Sequence, residues 1–114
     1  RVVSALDVFP TLLDLLGVQS DQPLLGRSLV PLLRGESLPA RAVIAECYGV
    51  GRHKRAVILW PHKLIVDTKL RTMELYDLER DPHERRPLRD DALVQRLWRY
   101  LDVAPASGAG PPSP

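Results

Sequence analysis

Between Ser4 and Gly17 the apolar residues Leu6, Phe9, Leu12, Leu13, Leu15 and Leu16 recur at mixed three- and four-residue spacing. That is a helical stripe broad enough to occupy much of the helix circumference. Such a helix must be covered by something. Leaving Phe9 and three or four leucines in water would forfeit roughly 1.5–3 kcal/mol for each side chain. Pro10 stands inside the stripe, where an interior proline removes a hydrogen bond and clashes with the preceding turn. An N-cap at Asp7 resolves the conflict, because Pro10 then takes the third helical position, whose N–H has no partner within the helix. Gly17 supplies the stop.

The same grammar recurs at Ser28–Gly35, SLVPLLRG, where Ser28 is expected to cap, Pro31 to stand third, Leu29, Leu32 and Leu33 to be buried, and Gly35 to terminate. Pro23 and Gly26 mark the loop between the two helices. From Arg41 the period changes. Ala42–Tyr48, Arg55–Leu59, Lys63–Asp67 and Glu74–Leu78 are short and rich in β-branched and aromatic residues, with turn residues between them. Sequential short strands with short connections predict an antiparallel meander. Asp77–Pro87 reads as a polar, proline-punctuated turn, and Asp90–Asp102 as a helix with a one-sided stripe of Leu93, Val94, Leu97, Trp98 and Leu101, capped by Asp90 or Asp91. Ala104–Pro114, APASGAGPPSP, lacks any large apolar side chain and is expected to be a flexible tail. The predicted class is therefore α+β: two helices, four antiparallel strands and a final helix.

A length of 114 residues allows one compact unit. With 45% hydrophobic and 26% charged residues, wholesale disorder is excluded. No apolar run approaches the roughly 20 residues that span a bilayer, so no membrane partner is expected. A net charge of +2 gives no ground for a nucleic-acid partner. A single cysteine, Cys47, rules out an internal disulfide framework and a multi-cysteine zinc site.

The chemistry-bearing residues are few. Cys47 is the obvious nucleophile, but nothing places a base on it, and burial is the expected state of a free cysteine. His53, His62 and His83 show no metal-ligand spacing and read as loop residues. Asp77, Glu79, Asp81 and Glu84 have the composition of a calcium loop without its alternation or central glycine, and turn formation accounts for them more simply. The run Arg52-His53-Lys54-Arg55 lies between two predicted strands. It reads either as solvated loop charge or as a hairpin tip offering planar guanidinium donors to a phosphate, sulfate or carboxylate. No phosphate-cradling glycine loop or Gly-x-Ser-x-Gly elbow is present, so the chain shows no self-sufficient active site.

Four segments, in order, resemble a known family. SALDVFPTLLDLLGV at Ser4–Val18, LLGRSLVPLLRGE at Leu24–Glu36, WPHKLIV at Trp60–Val66 and ELYDLERDPHE at Glu74–Glu84 are similar to the C-terminal third of sulfatases, in the alkaline-phosphatase superfamily. That family shows a D-x-x-P-T-L helix, a G-x-S-L-x-P-L-L segment, a W-K-hydrophobic strand and a Y-D-L-x-x-D-P-x-E turn. The departure here is Pro61-His62 between Trp60 and Lys63, expected to lengthen that turn.

The resemblance implies that residues 1–37 end a large α/β domain, that 38–103 form a small four-stranded antiparallel subdomain with a terminal helix, and that 104–114 are a disordered tail. It implies a sulfatase-type sulfuric ester hydrolase when intact, acting on a small-molecule or glycan sulfate ester. Family chemistry uses a formylglycine made from C/S-x-P-x-R and a calcium ion, and both sets of residues normally lie upstream. Cys47 is followed by Tyr48-Gly49-Val50-Gly51, without the required Pro or Arg, so no catalytic or metal residue is expected in this segment. The expected partner is a missing N-terminal catalytic domain. The Gly49–Arg55 loop is expected near the substrate, with Arg52 and His53 as contacts. A phosphodiesterase or phosphonate hydrolase of the same superfamily, and a free-standing α+β interaction module, are the alternative readings.

Overall fold

Asp7 organises the start of the chain. In the computed structural model, which describes residues 2–49 and 52–102, its side chain is fully buried. One carboxylate oxygen accepts from the Ser4 N–H and the other from the Arg27 N–H, each at 2.9 Å. Ser4 and Asp7 form a reciprocal capping box around a 3₁₀ turn, Ala5–Asp7. Helix α1, Val8–Leu15, follows directly. Asp7 stands at the N-cap position of α1 but gives it no side-chain cap, correcting the sequence expectation. Both its oxygens are engaged elsewhere, one of them by a residue twenty positions on. Pro10 is third in α1, as predicted, and buried. Gly17 ends the helix with φ +66°, and the Val18 N–H reaches the Leu13 carbonyl at 2.9 Å.

The second motif answers the first through hydrogen bonds. The Thr11 hydroxyl donates to the Asp7 carbonyl and accepts from the Leu29 N–H at 3.0 Å. The Ser28 hydroxyl donates to the Asp14 carboxylate and accepts from the Val30 N–H at 3.1 Å. Helix α2 is only Val30–Leu33, with Leu29 rather than Ser28 at its N-cap and Pro31 second rather than third. Val30 is buried while Leu33 is exposed, reversing the expected burial of Leu33. On α1 and its C-cap residue Leu16, the side chains of Val8, Phe9, Leu12, Leu15 and Leu16 share one arc at 100° per residue. They are between 51% and 74% exposed. Residues 1–40 form one compact unit, and this apolar arc lies open on it.

The chain from residue 41 is a second compact unit. Strands β1 (Val43–Gly49), β2 (Arg52–Leu59), β3 (His62–Asp67) and β4 (Thr72–Asp77) form an antiparallel sheet in sequential order, as predicted. Ile44, Val57, Leu64 and Leu75 lie in one cross-strand row. Helix α3, Asp91–Asp102, covers that face, with Leu97 and Leu101 joining Val57, Leu64, Val66 and Leu75 in the core. Asp90 caps α3 by accepting from the Leu93 N–H at 2.9 Å. Trp60 and Pro61 alone connect β2 to β3, joined by a cis peptide bond, and His62 already belongs to β3. The expected tail at 104–114 lies outside the described residues.

Candidate functional site

The basic run is strand, not loop. β2 begins at Arg52, so Arg52-His53-Lys54-Arg55 pairs with Gly49, Tyr48, Cys47 and Glu46 of β1. Only residues 50 and 51, outside the described set, separate the two strands. The polar sequence is held in the sheet because ladder pairing satisfies its backbone donors and acceptors. Strand alternation places Tyr48 and Glu46 of β1 and His53 and Arg55 of β2 on the face that carries α3 further along.

Two cross-strand pairs define the hairpin end. The rings of Tyr48 and His53 meet edge to face, centroids 6.4 Å apart, and both residues are exposed. One row inward, Arg55 Nε donates to Glu46 Oε1 at 2.7 Å. Arg55 is 9% exposed, and its Nη2, wholly buried, has no hydrogen-bond partner among the described residues. Leaving a buried donor unmet costs about 1–3 kcal/mol, more when it is charged. The arrangement offers an exposed aromatic and imidazole surface, with the Arg55 guanidinium buried beside it and turned to Glu46, chemistry suited to packing against a planar or saccharide ring. Sequence reading singled out the Arg52–Arg55 run, with Arg52 and His53 as contacts, but missed Tyr48, Glu46 and the pairing of Arg55 with Glu46, because the strand pairing that unites them depends on register.

The other candidates separate. Cys47 is exposed on β1, not buried as expected, because it faces away from the α3 side on an edge strand. His62 opens β3 and is half-buried, while His83 is exposed beyond β4, so the three histidines do not converge. The Asp77 carboxylate accepts from the Glu79 and Arg80 N–H groups, and Asp81 from those of Arg85 and Arg86. These are turn bonds, as the sequence predicts. Among the described residues no group of three or more His, Cys, Asp or Glu could hold a metal ion. None of the described helices is long and apolar enough to cross a membrane.

Near that turn Tyr76 is buried, opposite Lys63, whose ammonium donates to Glu84 at 2.7 Å. Burial, reinforced by Glu74 and then by Glu84 and Asp81, pushes the Tyr76 hydroxyl above its ordinary value. The folded state therefore holds the proton after the unfolded chain has released it. Stability should be insensitive to this group below pH about 10 and fall as pH rises above it. In alkaline titrations of unfolding, Tyr76→Phe should show a shallower loss than the parent chain.

The sequence family described as N-sulphoglucosamine sulphohydrolase, C-terminal, matches residues 1–104. The chain belongs to this family, the C-terminal portion of sulfatases. It is similar to arylsulfatase K of Xenopus laevis, at 32% identity over 73% of this chain and 18% of that protein. A crystal structure assigned as a sulfatase from Bacteroides thetaiotaomicron VPI-5482 is 30% identical, with a TM-score of 0.68 over 85% of this chain and 22% of that one. A 2-O GAG sulfatase is 29% identical, with a TM-score of 0.61 over 84% of this chain and 22% of that one. The fold alone is shared with Ps i-CgsB, at 22% identity and a TM-score of 0.76. This sulfatase C-terminal portion thus spans about a fifth of the length of the relatives it matches.

The family pattern acquires a physical meaning in these residues. Asp7 and Thr11 of the first motif bind the backbone of Arg27 and Leu29 in the second. Asp77 and Asp81 of the fourth shape the turn after β4.

Proposed function

We propose that this chain completes a sulfatase-type hydrolase of sulfate esters, with residues 1–37 closing a large α/β domain and 38–103 forming the small subdomain that walls the substrate cleft. The observation that carries the reading is the open apolar arc Val8, Phe9, Leu12, Leu15 and Leu16. An exposed contiguous apolar face of this kind marks an interaction surface, and here the partner is the N-terminal catalytic domain of the same enzyme. The catalytic formylglycine and calcium ion belong to that partner. Cys47 lacks the Pro and Arg that formylglycine formation needs, and the Asp77 and Asp81 carboxylates are committed to backbone N–H groups.

The hairpin end with Arg52 and His53 is the part of this chain that meets the substrate, a sulfate ester of a small molecule or a glycan. In the intact enzyme, Arg52→Ala should weaken kcat/KM for a sulfated glycan about tenfold, a typical loss for one charged contact, with a smaller change for a small aryl sulfate. Equal discrimination before and after substitution would remove Arg52 from the cleft. Assaying aryl sulfate against aryl phosphodiester separates the sulfatase from a phosphodiesterase built on the same fold.

A further inference from the structure

Arg55 carries its guanidinium into a row that Val66 and Met73 continue across β3 and β4. An apolar side chain there would extend the core without any desolvation cost, and replacing buried ion pairs by apolar residues is often neutral or stabilising. Stability therefore does not account for this arginine, least of all with Nη2 unmet. The position of the pair along the hairpin does. β2 is flanked on both sides only from Lys54 onward, because β3 pairing ends at Lys54 with Asp67. Beyond that point β2 pairs with β1 alone, and a two-stranded ribbon is marginal by itself. Thr68 steadies the β2 side through the His53 carbonyl, with its N–H at 2.9 Å. On the β1 side, the Glu46–Arg55 ion pair is the cross-strand tie next to Tyr48.

We infer that Arg55 is a positioning residue: by gripping Glu46 it holds β1, and with it the Tyr48 ring against His53, in the geometry that engages an anionic saccharide. Arg55 does not contact the ligand through Nη2, which is buried. The inference rests on the reading of the hairpin end as a substrate contact.

The test uses the intact enzyme and a sulfated glycosaminoglycan tetrasaccharide as probe, with binding followed by calorimetry and amide exchange. Replacing the pair by Glu46→Leu with Arg55→Met should weaken Kd about tenfold and raise KM more than it lowers kcat. The thermal midpoint should not fall, and exchange at Tyr48 should accelerate. Arg55→Lys, which keeps a charge opposite Glu46, should recover binding to within about threefold of the parent. Binding within twofold of the parent, in either the double variant or Arg55→Leu, would overturn the role. His53→Ala separates the two levels. If it weakens binding and the double variant does not, only the role of Arg55 fails; if His53→Ala also binds normally, the hairpin reading fails and takes this inference with it.

Discussion

Gly26→Ala is expected to break the structure of the first forty residues, at a cost of about 3 kcal/mol, the upper end of the range for overpacking. A Cβ at Gly26 would stand 1.9 Å from the Leu6 carbonyl oxygen, 2.4 Å from its carbon and 2.9 Å from the Asp7 nitrogen. All three are backbone atoms of the capped turn, so no side-chain rotation relieves the clash. Moving the turn would break the bonds from Ser4 and Arg27 to the buried Asp7 carboxylate, leaving that carboxylate short of partners. Amide exchange should show loss of protection at Arg27 and Leu29. The fluorescence of Trp60 and Trp98, both in the second unit, should stay close to that of the parent. Parent-like protection at Arg27 in the alanine variant would contradict the proposed fit.

The other large effect is expected on the apolar arc of α1. Leu12→Glu combined with Leu16→Glu should be harmless to the isolated chain and severe in the intact enzyme. In isolation both residues are exposed, and surface substitutions of that kind usually change stability by less than about 0.5 kcal/mol. The charges should also suppress self-association and dye binding by the isolated chain. Once covered by the catalytic domain, the same side chains would become buried unpaired charges, with an expected loss of at least about 4 kcal/mol and little soluble enzyme. Measuring soluble yield and sedimentation for both forms checks the contrast. Equal tolerance in the two settings would mean that nothing covers this face.

Much of the fold was legible because its signals are local. The meander follows from short β-branched runs separated by turn residues, and α3 from a clean stripe with Asp90 in front. Gly17 and Pro10 took their expected places because helix termini obey rules within one turn of chain. The misreadings share a different cause. Asp7 looks like the cap of α1 to any local rule, yet Arg27 claims one of its oxygens from twenty residues away. Ser28 yielded the N-cap of α2 to Leu29 while bridging Asp14 and Val30, and Leu33 turned outward when Val30 took the buried position. Arg52–Arg55 looked like loop because four polar residues in succession show no alternation. Their partners in β1 keep them extended, and those partners are not adjacent in sequence. Tyr48, Glu46 and the tie between Glu46 and Arg55 escaped notice for the same reason. The residues that would carry the sulfatase chemistry could not be read at all, because neither Cys47 nor the acidic turn matches the family's requirements.

The central claim is that α1 is shaped to be covered by protein outside these 114 residues. Sedimentation of the purified chain alone, run beside a thermal melt and a hydrophobic-dye titration, tests it most directly. Self-association or strong dye binding, with a broad or absent transition for the first forty residues, is the predicted result. A dye-silent monomer that melts in one sharp cooperative step would contradict it.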